Sequence, residues 1–236
     1  MVKKEISGLK RMLEKYASGH VIEKLGSEVS NMLEVVKAGD TLLLNSPNTN
    51  YSFGALHRVF RKVFKKIDFR EKQIRDTLIL GFGTGSVATI LREELGLDCS
   101  ITAVEKDPGV LMLGKKYFNT DRFTDLKVIE ADAVNFIATT PGSYDLIVVD
   151  VYIDFEVPAS CETMEFIINL KKCLKPGGMV LFNKMIYNHK AGEEAEELER
   201  KFKTLDGKTS VIKVRESVLN KMIVYENWEE AIGSKQ

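Results

Sequence analysis

The chain has 236 residues, 34 Lys plus Arg against 34 Asp plus Glu, and 44% apolar residues. A chain of that length holds one full domain, a modest extension and a sizeable core. Formal neutrality argues against nucleic acid as the main partner. No apolar run approaches membrane-spanning length and no signal peptide is evident, so a soluble, cytoplasmic protein is expected. Cys99, Cys161 and Cys173 lack metal-like spacing and read as buried thiols, while His20, His57 and His189 are scattered. No metal is expected.

In chain order, Glu5–Tyr16 carries Ile6, Leu9, Met12 and Leu13 at helical spacing and predicts a short amphipathic helix. From His20 the pattern shifts toward strands. Leu33–Val36 and Thr41–Leu44 flank Lys37-Ala38-Gly39-Asp40, which predicts a β-hairpin. Asn45–Asn50 is rich in turn residues. Ser52–Lys66 resumes a helical pattern, with Phe53, Leu56, Val59, Phe60 and Val63 on one face.

From Asp76 strands and helices alternate. The expected strands are Thr77–Leu80, Ser100–Val104, Leu126–Ile129 and Leu146–Asp150. The expected helices are Ser86–Leu95, Pro108–Tyr117, Ala133–Ala138 and Ser160–Leu174. The early strands are continuous apolar runs, as in a parallel sheet covered on both faces. Lys175-Pro176-Gly177-Gly178 is expected to end a helix, before a strand at Met179–Phe182. Glu193–Lys203 reads as a solvated helix face. Val211–Val214 and Met222–Tyr225 predict a closing antiparallel hairpin. The expected fold is α/β, a Rossmann-like, mostly parallel sheet with that C-terminal hairpin. An N-terminal extension (1–72) precedes the nucleoside-binding domain (73–236).

The chemistry concentrates at strand ends. The first strand of the alternating region runs into Gly81-Phe82-Gly83-Thr84-Gly85, where glycines let a ligand lie against the backbone. A dinucleotide fingerprint would place a third glycine or alanine at position 86, which is Ser. The next strand ends at Glu105, followed by Lys106. An ionised carboxylate there suits the two hydroxyls of a ribose. Asp132, in Ala131-Asp132-Ala133, is placed both to cap a helix and to accept from an adenine amine. Asp150 ends the fourth strand, with Tyr152 and Asp154 beyond it. The cofactor-binding candidates are thus Gly81, Phe82, Gly83, Gly85, Glu105, Lys106, Asp132, Ala133 and Asp150. Asp150, Tyr152 and Asp154 are the catalytic candidates.

With Lys175-Pro176-Gly177-Gly178, these motifs make residues 76–225 resemble the class I S-adenosylmethionine-dependent methyltransferase superfamily. The N-terminal part, with Ser27-Glu28, Leu42-Leu43-Leu44-Asn45 and Tyr51-Ser52-Phe53, resembles its spermidine synthase branch. That resemblance implies an N-terminal β-unit that helps form a homodimer, and aminopropyl transfer from decarboxylated S-adenosylmethionine to putrescine. The branch's polyamine motifs are altered here. Thr84 stands where the branch has Asp in its glycine loop. Ser30 replaces a Gln, Phe53-Gly54-Ala55 replaces Tyr-His-Glu, and Asp150-Val151-Tyr152-Ile153 replaces Asp-Ser-x-Asp. A doubly cationic acceptor needs several carboxylates. The expectation is therefore methyl transfer from S-adenosylmethionine to an unidentified small-molecule acceptor. Aminopropyl transfer to an amine stands second, and a non-catalytic nucleoside-binding module third.

Overall fold

A computed structural model describes residues 19–46, 50–67, 69 and 72–228. The helix expected over Glu5–Tyr16 lies outside them. Four strands come first: β1 (His20–Ser27), β2 (Asn31–Ala38), β3 (Thr41–Asn45) and β4 (Asn50–Ser52). They form one antiparallel sheet in that order. The β2–β3 hairpin forms as expected, with Ala38 opposite Thr41. β1 exposes alternate residues along its whole length, as a strand with one solvated face does.

α1 (Gly54–Lys66) starts two residues later than expected, because Phe53 holds a left-handed φ of 62°. It buries Val59, Phe60, Val63 and Phe64. Their i, i+1, i+4, i+5 spacing is one helical face.

The second sheet contains β5 (Asp76–Leu80), β6 (Ser100–Glu105), β7 (Leu126–Glu130), β8 (Tyr144–Val149), β9 (Leu174–Ile186), β10 (Lys208–Arg215) and β11 (Leu219–Glu226). Its order is β10-β11-β9-β8-β5-β6-β7. β5 to β9 are parallel and the last hairpin is antiparallel. The helices are α2 (Ser86–Thr89), α3 (Pro108–Phe118), α4 (Ala133–Thr139), α5 (Met164–Lys172) and α6 (His189–Lys203). Successive strand residues enter opposite cores. Ile79, Val148 and Leu181 pack with Phe60 and Phe64 of α1, whereas Leu78, Leu80, Val149 and Phe182 pack with Phe166 of α5 and Phe202 of α6. This two-sided burial is why the strands are continuous apolar runs. Burying each such side chain contributes about 1.5–3 kcal/mol.

Three expected elements change. The helix from Ser86 is regular only to Thr89, after which its last turn widens and Leu95 N–H donates to the Ile90 carbonyl at 2.9 Å. The helix expected over Ser160–Leu174 breaks at Thr163, whose hydroxyl caps α5 by accepting from Phe166 N–H at 3.2 Å. Finally, Lys175-Pro176-Gly177-Gly178 does not precede the strand but lies inside β9. Tyr144 pairs with Leu174 and Leu146 with Met179, so the Pro-Gly-Gly segment bulges out between them. β9 then continues to Ile186, well past the expected end, and brings Asn183 and Met185 to the functional edge of the sheet.

Candidate functional site

A cavity of about 160 Å³ lies along the carboxyl edge of the parallel strands. Its floor is the strand-end loops, and its roof comes from the first sheet and α1 (Ser30, Asn50, Tyr51, Ala55 and Leu56). Ligands of open α/β sheets lie at this edge because the loops diverge there.

Two glycines make the floor. Gly81 has φ +84°, and a Cβ on it would come within 2.3 Å of the Asp150 carbonyl oxygen. Gly83 has φ +58°, and its Cβ would meet the Ser52 hydroxyl at 2.7 Å. Ser52 accepts from Thr84 N–H at 2.9 Å, and Phe53 N–H donates to the Ser86 hydroxyl at 2.6 Å. The first sheet is thereby stitched onto the glycine loop. A second stitch is Asp107, which caps α3 and accepts from the Ser27 and Ser30 hydroxyls at 2.5 and 2.8 Å. Ser52 and Asp107 were not singled out from the sequence, since their partners lie 32 to 80 residues away.

The candidate residues divide. Gly81, Gly83, Glu105, Lys106, Asp132, Ala133, Asp150, Tyr152 and Asp154 all line the cavity. Phe82 and Gly85 do not. The Phe82 ring is 4% exposed and belongs to the core beneath the sheet, and Gly85 opens α2. Their expected ligand contacts are corrected accordingly. Thr84 is also fully buried, so the loop position where the resemblance places an acid faces away from the cavity.

Glu105 is heavily engaged. One carboxylate oxygen accepts from Lys106 and Asp107 N–H at 2.9 and 3.0 Å, and the other from Gly83 N–H at 2.9 Å. A carboxylate offers about four acceptor directions. One is left, rather than the two a bidentate ribose contact uses. Burial raises the Glu105 carboxyl above its ordinary range, against the pull of those N–H groups. Asp132 accepts from Val134 N–H at 2.9 Å and from the Lys106 ammonium at 3.1 Å. Burial raises its carboxyl, but Lys106 and the cap N–H groups outweigh that and hold it low.

Asp150 sits at the centre, half-buried, and accepts from the Asn183 amide at 2.9 Å. Burial pushes its carboxyl up to about 7, only partly offset by Asn183. The Tyr152 hydroxyl donates to the Asn183 carbonyl at 2.8 Å and accepts from Met185 N–H at 2.9 Å. Both of its hydrogen bonds run to the β9 backbone, so Tyr152 offers the cavity its ring. Asp154 has φ +54°, accepts from the Ser46 hydroxyl at 2.9 Å, and donates from its N–H to the Tyr51 hydroxyl at 3.2 Å. Asn183 escaped the sequence reading because nothing local marks a polar residue inside a buried strand as functional.

A parallel sheet closed by an antiparallel hairpin, with glycine-loop and acidic strand ends on one edge, defines the class I methyltransferase-like fold. Human methyltransferase-like protein 13, solved with SAH, superposes with a TM-score of 0.61 at 21% identity, covering 76% of this chain and 84% of that one. The spermidine synthase of Thermotoga maritima superposes at 0.70 and 15% identity over 90% of this chain and 74% of that one. The sequence model of the spermine/spermidine synthase domain matches residues 62–234, and the chain belongs to that family.

Among curated relatives, a probable polyamine aminopropyl transferase of Bifidobacterium longum is 29% identical over 167 residues, covering 67% of this chain. The polyamine aminopropyltransferase of Escherichia fergusonii is 32% identical over 110 residues, 44% of this chain. The matched stretches span 36% and 38% of those proteins' lengths. These findings overturn the methyl-transfer expectation. Of the altered positions, Thr84 and Val151-Tyr152-Ile153 lie inside the matched residues 62–234, so those changes do not take the chain out of the family.

Proposed function

We propose that the chain transfers an aminopropyl group from decarboxylated S-adenosylmethionine to a small-molecule amine. The observation that carries this reading is the charge of the cavity in a chain of this family. Glu105, Asp132, Asp150 and Asp154 line it against the single ammonium of Lys106, among the described residues. Such a wall suits a donor with a sulfonium and an ammonium, and opposes one that also carries a carboxylate. On this reading the donor-binding unit is assigned to residues 73–236 and the preceding unit to residues 1–72, of which Ser30, Asn50, Tyr51, Ala55 and Leu56 line the cavity.

The donor supplies an electrophilic methylene beside its sulfonium. The acceptor nitrogen must be neutral and in line with the breaking bond. It forms the new C–N bond, the C–S bond breaks, and the electron pair stays on sulfur as a neutral thioether. The nitrogen's proton goes to Asp150, whose carboxyl, near 7, suits a general base at neutral pH. Gly81 and Gly83 give the donor a surface without side chains. The remaining acceptor direction of Glu105 takes one ribose hydroxyl, and Asp132 lies where an adenine amine would meet it.

The test incubates the protein with decarboxylated or intact S-adenosylmethionine and a mixture of amines, followed by mass spectrometry. Aminopropylated amine and methylthioadenosine are expected from the decarboxylated donor. Methylated product from the intact donor, or no binding of either donor by calorimetry, sinks the proposal.

A further inference from the structure

The strand order lays the cavity wall out in sequence. Glu105 and Asp132 follow β6 and β7 on one flank, Gly81 and Asp150 follow β5 and β8 in the middle, and Met185 of β9 and Asn220 of β11 stand on the other flank. At about 4.8 Å per strand, β6 and β11 lie on the order of 19 Å apart across the sheet. If the nucleoside lies over the acidic flank, the acceptor occupies the β9–β11 flank.

That second flank has a different chemistry. Its lining is Met185, Ser217, Val218 and Asn220, faced by Ala55, Leu56 and Val59 of α1, with no charged side chain from β9, β11 or α1. Asn220 is 4% exposed. Its amide nitrogen donates to the Val218 carbonyl at 3.3 Å, which fixes the amide's orientation, because a flip would set two oxygens against each other. Its amide oxygen is buried without a partner. Asn220 itself lines the cavity, and an unmet acceptor on a lining residue wants a donor from the ligand. Asp154, which also lines the cavity, accepts from the Ser46 hydroxyl at 2.9 Å.

We propose, resting on the aminopropyl-transfer reading, that the acceptor is a primary amine whose remote end is uncharged and carries a hydrogen-bond donor: an amino alcohol or amino amide, rather than a diamine. Its reacting nitrogen sits at Asp150, its carbon chain lies along Leu56, Val59 and Met185, and its terminal hydroxyl or amide donates to Asn220 Oδ1. A terminal ammonium in the same place would be desolvated against neutral groups, which is costly without a counter-ion.

The experiment compares 4-aminobutan-1-ol, butylamine and 1,4-diaminobutane as acceptors with decarboxylated S-adenosylmethionine. The expected order of kcat/KM is amino alcohol, alkylamine, diamine, with the first exceeding the last by at least about tenfold. Asn220→Asp keeps the side chain's shape and adds a carboxylate, so the diamine is expected to overtake the amino alcohol in that variant. Asn220→Ala is expected to bring the ratio of kcat/KM for the amino alcohol over butylamine down to about one, read as a ratio within the variant. A wild-type protein that prefers the diamine overturns this inference and leaves aminopropyl transfer standing. A wild-type protein that binds the donor and aminopropylates none of the three, nor any amine in the earlier mixture, overturns both.

Discussion

The two flanks of the cavity are built on opposite plans. Around Glu105 the carboxylate is engaged from three sides by N–H groups of its own loop and of the glycine loop. Around Asn220 the wall is uncharged and one amide oxygen is unmet. The first flank is organised before any ligand arrives, which suits an invariant portion such as an adenosine. The second leaves its one polar demand to the ligand, and such a position sets specificity. Asp150 stands between them and belongs to neither, and its carboxyl near 7 depends on the burial both flanks provide.

The largest expected effect is at this centre. Asp150→Asn retains the shape and a hydrogen-bonding group beside Asn183 but cannot take a proton. The aminopropyl-transfer rate is expected to fall by about 100-fold or more. The wild-type kcat should rise as pH increases through about 7, while the variant's residual rate loses that step. Stability moves the other way. The folded carboxyl titrates above its unfolded value, so the folded state binds the proton more tightly, and stability declines as pH rises from about 4 through about 7. Above pH 7 the Asn variant is expected to melt higher than the wild type. An Asn variant that is both active and unchanged in melting temperature would separate Asp150 from the chemistry.

Next comes the floor shared by both flanks. Gly81→Ala would force a Cβ to within 2.3 Å of the Asp150 carbonyl at a φ of +84°. Strain of this kind costs about 1–3 kcal/mol before the clash is counted. Urea denaturation should show a loss at or above the upper end of that range, and calorimetry should show weakened donor binding. A variant with wild-type stability would mean that the loop yields, and the flanks would not share a rigid floor.

Glu105→Gln tests the first flank alone. It keeps the shape but turns part of an acceptor-only group into a donor facing N–H groups. About tenfold weaker donor binding is expected, with the preference among acceptors unchanged. A change in acceptor preference would join flanks that the structure keeps apart.

The sheet and the acidic flank were legible because their signals are local. An apolar run ending in Gly81-Phe82-Gly83, or in Val104-Glu105, states strand, turn and edge within a few residues. Even there the reading overreached at Phe82 and Gly85, because a motif does not say which loop residues turn inward. The opposite flank was illegible for a physical reason. Met185 and Asn220 are far apart in the chain, and only the pairing of β11 with β9, which sets them opposite each other, brings them to one wall, faced by Ala55 of α1. The extension of β9 past Phe182 hid Asn183 and Met185 in a stretch that carried no chemical signal. The methyl-transfer expectation failed similarly. It inferred a lost amine site from motif positions such as Thr84, which is buried away from the cavity.

The smallest effect is the most discriminating about charge. Lys106 is 56% exposed at the rim of the acidic flank and pairs with Asp132 at 3.1 Å. An exposed pair of this kind contributes about 0–1 kcal/mol, so Lys106→Met should change stability little. Its effect on ligands should depend on their sign. The ammonium repels the cationic decarboxylated donor weakly and attracts the carboxylate of intact S-adenosylmethionine. Removing it is expected to tighten the first up to about threefold and to loosen the second by a similar factor. Both changes should shrink in high salt, which calorimetry at two ionic strengths can read. A tenfold loss for the decarboxylated donor would instead make Lys106 a direct ligand contact, and the acidic flank would then be less purely a cation site than its two carboxylates, Glu105 and Asp132, imply.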